Sequence, residues 1–96
     1  MFKLSGQKAV ERLVKHIDQL SQKSASIQRD LVTKFLADAQ ENIDHNEWGL
    51  AMEMLLESIY EIDFKVDTTT IELTKTAFNE CQMDYSKFIF IEKLVQ

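Results

Sequence analysis

Glu53 and Glu57 stand one helical turn apart, the spacing of a carboxylate pair in a helix-bundle metal site. Such sites also need Glu-x-x-His contributed by two helices, and that spacing does not occur in the chain. The two histidines, His16 and His45, fall in different segments, with no His-x-x-x-His or Cys-x-x-Cys spacing to set two zinc ligands on one face. Cys81 is the single cysteine, so it has no internal disulfide partner, and its apolar helical neighbours predict a buried thiol. Catalysis by a Cys or Ser nucleophile requires a general base and an oxyanion hole held together. The chain has neither a nucleophile-elbow motif nor a glycine-built nest, and no glycine-rich phosphate cradle. These residues predict no catalytic site, no cofactor and no metal, with both histidines exposed or satisfied.

What the chain does concentrate is negative charge. Between Phe35 and Phe64 lie eight carboxylates (Asp38, Glu41, Asp44, Glu47, Glu53, Glu57, Glu61, Asp63) and not one Lys or Arg, although the whole chain has a net charge of only −5. Residues 1–34 carry seven basic and three acidic side chains, and residues 65–96 carry four and five. Like charges at i,i+4 cost a helix roughly 0.2–0.5 kcal/mol per pair, so the Glu53-Glu57-Glu61 line does not serve the isolated helix. One reading is solubility, since net negative charge keeps small proteins apart. A merely soluble helix, however, alternates its signs for i,i+4 support, whereas segregated charge suits steering toward a basic partner. The opposite charges, Lys3, Lys8, Arg12, Lys15, Lys23, Arg29 and Lys34, form a modest footprint on an acidic protein. They predict a solvated face and no direct nucleic-acid binding.

The elements that must position these groups read as helices. A chain of 96 residues forms one domain, because it buries only about 60–65 % of its unfolded surface and cannot support two cores. Hydrophobic content of 45 % and charged content of 28 % are ordinary for a globular chain. No segment approaches the roughly 20 apolar residues that span a bilayer, and the N-terminus has no apolar run of signal-sequence length, which predicts a cytoplasmic protein. The absence of Pro, with only two Gly, favours helices joined by short polar turns. The expected fold class is therefore all-α, a single-domain bundle of four to five helices over residues 1–96.

Ala9, Val10, Leu13, Val14, Ile17 and Leu20 recur at helical spacing, predicting a helix over about 5–22 with Ser5 as its N-cap. Ser24 or Ser26 can cap a second helix to about Asp44, with the stripe Ile27, Leu31, Val32, Phe35, Leu36, Ala39 and Ile43. Asp44 or Asn46 can cap a third helix to about Asp63, opening with Glu47. On it Trp48, Ala51, Met52, Leu55, Ile59 and Ile62 share one sector and Glu53, Glu57 and Glu61 lie nearly opposite. Leu50 and Met54 fall on or beside the acid line, so this helix is either sandwiched between neighbours or displays apolar residues among its carboxylates. Thr69 and Glu72 have capping-box spacing for a fourth helix to about Gln82, with Ile71, Leu73, Ala77, Phe78 and Cys81 on its buried side. Asp84 can cap a last segment, residues 85–95, holding Tyr85, Phe88, Ile89 and Ile91. Phe88-Ile89-Phe90-Ile91 suits a short strand equally well, but without a second strand to pair with it is expected to be helical.

The stretch Asn46-Glu47-Trp48-Gly49-Leu50-Ala51-Met52-Glu53-Met54-Leu55 resembles the "E-(aromatic)-G-(apolar)-A-(apolar)-E-x-L" segment of small bacterial immunity proteins of the Maf and contact-dependent growth inhibition type. The resemblance is carried by about fifteen residues. It implies an all-helical cytoplasmic protein that binds and neutralises one cognate toxin C-terminal domain, commonly a nuclease with a basic substrate-binding surface. Gly49 within the motif reads structurally as a place where a neighbouring helix approaches, and Trp48 as a core residue. Combined with the charge pattern, the resemblance leads to an inhibitor whose toxin-binding face is Glu53, Glu57 and Glu61, then Asp38, Glu41, Asp44 and Glu47, with Leu50 and Met54 as apolar contacts. Two further readings compete: a scaffold that forms a homodimer through Leu50, Met54 and the aromatic C-terminal segment, and a nucleic-acid-associated regulator using Lys8, Arg12 and Lys15.

Overall fold

The computed structural model describes residues 4–96, so Lys3 lies outside it. It contains four α-helices, α1 (Ser5–Ser21), α2 (Ser26–Asp44), α3 (Trp48–Glu61) and α4 (Thr68–Glu80), followed by a 3₁₀ helix, Tyr85–Leu94. Helix α1 packs against α2, α3 and α4; α2 packs against α3; and the 3₁₀ helix lies against α3 and α4. One continuous core fills the space between them. Val10, Leu13 and Ile17 from α1 and Ala51, Met52, Leu56 and Ile59 from α3 are wholly enclosed. The all-α single-domain expectation therefore holds.

The apolar stripes are broadly where periodicity put them, with corrections at their margins. On α2 the buried residues are Val32, Leu36, Ala39 and Ile43, whereas Ile27 at its start is 77 % exposed and Leu31 is also exposed. Burial on α3 extends to Leu56, beyond the expected seam, because a third neighbour, the 3₁₀ helix, widens the covered sector. On α4 the buried set includes Thr70 and Thr74, while Leu73 and Cys81 are half-buried. Both hydroxyls are satisfied: Thr74 donates to the Thr70 carbonyl at 2.7 Å and Thr70 donates to Asp67 at 2.8 Å.

Helix ends depart further from expectation. No side chain caps α1, α2 or α3: their N-cap positions are Leu4, Ala25 and Glu47, so Ser5 and Ser26 sit inside the first turn, and neither Asp44 nor Asn46 caps α3. The proposed Thr69–Glu72 box is replaced by Asp67, an inherently stronger N-cap, whose side chain accepts from the Thr70 amide at 2.9 Å. Asn46, Asp63 and Gln82 adopt left-handed backbone conformations with φ of 62°, 53° and 57°. Each follows a helix C-cap and builds the same stop. Amides at positions 46 and 47 return to the carbonyls of Ile43 and Asn42, those at 63 and 64 to Tyr60 and Ile59, and those at 82 and 83 to Asn79 and Phe78.

The C-terminal segment is neither an α-helix nor a strand. Asp84 does cap it, accepting from the Ser86 amide, but its hydrogen bonding is 3₁₀. With three residues per turn, side chains three apart line up. Tyr85, Phe88, Ile91 and Leu94 have that spacing, and the last three are buried. Ile89 is 56 % exposed because it falls on another row. The chain end is pinned by a single parallel bridge between Val66 and Val95, with Val66 N–H donating to the Leu94 carbonyl at 2.9 Å.

Two close approaches use the glycines. A Cβ on Gly6 would lie 3.1 Å from both Cys81 Sγ and Trp48 Nε1 and 3.3 Å from the Glu80 carbonyl; one on Gly49 would meet chiefly Met83 Sδ at 2.9 Å. What approaches Gly49 is thus not a neighbouring helix, as expected, but the loop after α4, through a flexible side chain. Gly6→Ala is expected to destabilise the protein by about 1 kcal/mol despite the better helix propensity, because part of its contact is backbone. Gly49→Ala should stay within about 0.5 kcal/mol of neutral, since Met83 can swing aside; denaturant unfolding of the two variants compares them.

A tertiary polar contact ties α1 to the start of α4: His16 Nε2 lies 2.9 Å from Asp67 Oδ1. Partial burial on its own would raise the Asp67 carboxyl, but hydrogen bonds from His16 and from the Thr70 hydroxyl and amide outweigh it and hold the group down at about 2. A depressed carboxylate contributes stability above its unfolded value of 3.8 and loses it as the pH falls toward 2. Asp67→Asn keeps a capping oxygen and removes the charge, so thermal unfolding across that range should show a shallower acid loss than the parent. Asp67→Ala should additionally cost about 1 kcal/mol at neutral pH.

Candidate functional site

Helix α3 presents its carboxylates along a ridge that follows directly from how it is packed. Its apolar sector faces α1, one flank meets α2 and the other meets the 3₁₀ helix. Only the arc opposite the core remains uncovered, and at 100° per residue that arc carries Glu53, Glu57 and Glu61 together with Leu50 and Met54. Both options left open by the sequence hold at once: the helix is sandwiched, and it still shows Leu50 at 44 % and Met54 at 47 % exposure. Glu57 and Glu61 are exposed and Glu53 is half-buried.

The α2 flank adds the secondary residues. Asp38 lies beside Met54, Phe35 and Ser58 in a small cleft between the two helices, and the Asn42 amide contacts Met54 Sδ at 3.7 Å. Asp38, Glu41, Asp44 and Glu47 are all exposed, with Asp44 accepting from Gln40 at 2.9 Å. The structure thus gathers Asp38 with the α3 ridge, while Glu41, Asp44 and Glu47 surround the α2–α3 turn. The eighth carboxylate of the block, Asp63, turns to Lys65 at 2.9 Å.

His45 sits within this turn, its Nδ1 2.8 Å from the Glu41 carbonyl. That hydrogen bond, opposed by desolvation and then supported by the carboxylates of Glu41, Glu47 and Asp44, raises its pKa above the usual histidine value. The turn therefore gains a positive charge more readily on mild acidification than an isolated imidazole would.

A cation does stand beside the ridge, which the linear sequence conceals. Lys87, from the 3₁₀ helix, lines the same groove as Glu57 and Glu61. The stretch from Phe35 to Phe64 lacks Lys and Arg in sequence but is not isolated from them in space. Tyr60, Phe88 and Phe90 line that groove as well, so sequence reasoning missed an aromatic component. The signal available was the three-residue spacing after Tyr85, which sets Phe88 and Phe90 on separate rows of a 3₁₀ helix.

The remaining chemistry-bearing residues are otherwise engaged. His16 is bonded to Asp67 and helps to hold α1 against α4. The Cys81 thiol is half-buried over Gly6, and burial, then the nearby Glu80, raises its pKa, so it stays protonated at neutral pH. Among the described residues no group of three His, Cys, Asp or Glu is placed to hold a metal ion, and no helix is long and apolar enough to cross a membrane. Lys8, Arg12 and Lys15 lie exposed on the outer face of α1, on a hollow that Glu11 also lines.

The ridge's like charges make a stability prediction. Glu57 has Glu53 one turn before it and Glu61 one turn after. Glu57→Gln is expected to stabilise the free protein by a few tenths of a kcal/mol per relieved pair, less at high salt, in urea unfolding at two ionic strengths. A destabilised Glu57→Gln protein would show that the ridge is internally compensated.

Compared with known proteins, the chain matches no protein-family model, no curated protein and no solved structure.

Proposed function

We propose that the chain is a cytoplasmic immunity-type protein that binds and neutralises one toxin domain, covering a cationic substrate-binding surface with the α3 ridge. A nuclease is the toxin class that fits, because carboxylates in a line can stand in for the phosphates of its substrate. The observation that carries this reading is the outward arc of α3, where Glu53, Glu57 and Glu61 run alongside exposed Leu50 and Met54, with Asp38 on the α2 flank. Carboxylates there weaken the isolated helix, and a basic partner would recover that cost. Complementary charge of this kind mainly accelerates association, while apolar contacts at the centre of the patch slow dissociation.

The immunity-type part of the reading comes from the Glu47–Leu55 motif. Its Ala51, Met52 and Leu55 are buried and explained by packing, half-buried Trp48 by its place against the core and Gly6, and Gly49 by Met83, which leaves Glu47, Leu50 and Glu53 as the motif positions available to a partner. No catalytic role falls to the inhibitor itself in this reading, and it needs no cofactor. Self-association through Leu50 and Met54 is the second reading, favoured by their exposure. It sets two acid ridges against each other, and a sedimentation experiment showing a strict monomer removes it.

The test is a Glu53→Lys/Glu57→Lys/Glu61→Lys triple variant measured against the partner captured at low salt on the immobilised parent chain and then identified. A folded triple variant should associate at least about tenfold more slowly, and its rate should no longer fall as salt is added. An unchanged rate and salt dependence would overturn the acid-face mechanism.

A further inference from the structure

Between the C-terminal half of α3 and the 3₁₀ helix runs an open groove of about 390 Å³, lined by Glu57, Tyr60, Glu61, Lys87, Phe88 and Phe90. We propose that this groove is a subsite for a single arginine side chain of a protein partner, with the guanidinium against the Tyr60–Phe90 wall and hydrogen-bonded to Glu57 and Glu61. The proposal rests on the acid-ridge reading and assigns part of that ridge a defined occupant.

Three features select this chemistry. The Tyr60 and Phe90 rings meet edge to face, with centroids 4.7 Å apart and planes inclined by 62°. An edge-to-face pair leaves a π-face uncovered by its partner ring, and Tyr60 is exposed to solvent. Phe88, 5.4 Å from Phe90, extends the same wall. Such a surface attracts a cation that can shed its water, and the planar guanidinium, weakly hydrated and able to stack, suits it better than an ammonium.

The carboxylates supply the second feature. Glu57 and Glu61 repel each other across one helical turn, and the structure gives neither an ion pair with Lys87 across the groove. A forked guanidinium placed between them removes that repulsion and satisfies acceptors that otherwise face water. The third feature is Lys87 itself. With one cation against two carboxylates the groove keeps a net negative charge, so a second cation is still attracted, although less strongly than if Lys87 were absent. The two carboxylates thus still exclude anionic side chains and favour strongly basic ones, while Lys87 tempers how tightly a basic side chain is held.

The experiment titrates N-acetylarginine methylamide into the full chain and follows the aromatic carbon-bound proton signals of Tyr60, Phe88 and Phe90, with N-acetylcitrulline methylamide as the neutral isostere. The arginine probe is expected to shift these signals and the citrulline probe to bind at least about tenfold more weakly. Glu57→Gln/Glu61→Gln, isosteric at exposed positions, should weaken the arginine response about tenfold with the backbone spectrum otherwise unchanged, and Lys87→Ala should strengthen it. Equal responses to the two probes, or a response that survives in the Gln variant, overturns the subsite. A silent groove in a chain whose partner association still collapses in the triple Lys variant rejects the subsite alone. Probe binding together with a partner indifferent to the triple variant upholds the subsite and rejects the ridge as the toxin-binding face.

Discussion

The fold depends on closing one apolar core between α1 and α3. Val10, Leu13 and Ile17 on one helix and Met52, Leu56 and Ile59 on the other lose all contact with water, and the remaining elements wrap that pair. Fully burying a side chain of this size stabilises by roughly 1.5–3 kcal/mol, and the enclosed residues of α2, α4 and the 3₁₀ helix extend the same core. Once α3 is held by α1 beneath and by α2 and the 3₁₀ helix on its flanks, only one arc of it can reach a partner. The acid ridge is thus placed by packing, and its exposure is a by-product of where the core lies.

The 3₁₀ helix has a double part in this arrangement. Its three-residue repeat delivers Phe88, Ile91 and Leu94 to the core. An aromatic relay from Tyr85 through Phe78 and Phe88 to Phe90 and Tyr60 then fastens it to both α4 and α3. The same element that shuts the core therefore forms one wall of the groove beside the ridge, and brings Lys87 to it. Fold and candidate site meet in this one segment.

The sequence made the helices legible because their apolar spacing is regular, and it located the α3 ridge because opposition across a helix is a matter of phase alone. It was less informative at the helix ends. Capping residues were available near each start, Ser5, Ser24 or Ser26, and Asp44 or Asn46, yet no side chain caps α1, α2 or α3, and the stops rely on Asn46, Asp63 and Gln82 in a conformation that glycine usually supplies. Nothing in a list of residues marks Gln82 for such a position. Lys87 near Glu57 was equally invisible, since it lies thirty positions away in the chain and becomes a neighbour only through tertiary packing.

The clean division of α3 into a buried seam and an outer ridge has a consequence for how such a protein changes over generations. Among the described residues no buried side-chain nitrogen or oxygen lacks a hydrogen-bond partner, and the ridge carboxylates lie outside the enclosed core. Substitutions along the ridge therefore leave the buried core untouched, while substitutions in the seam do not. The outer face can change codon by codon on a scaffold that stays fixed.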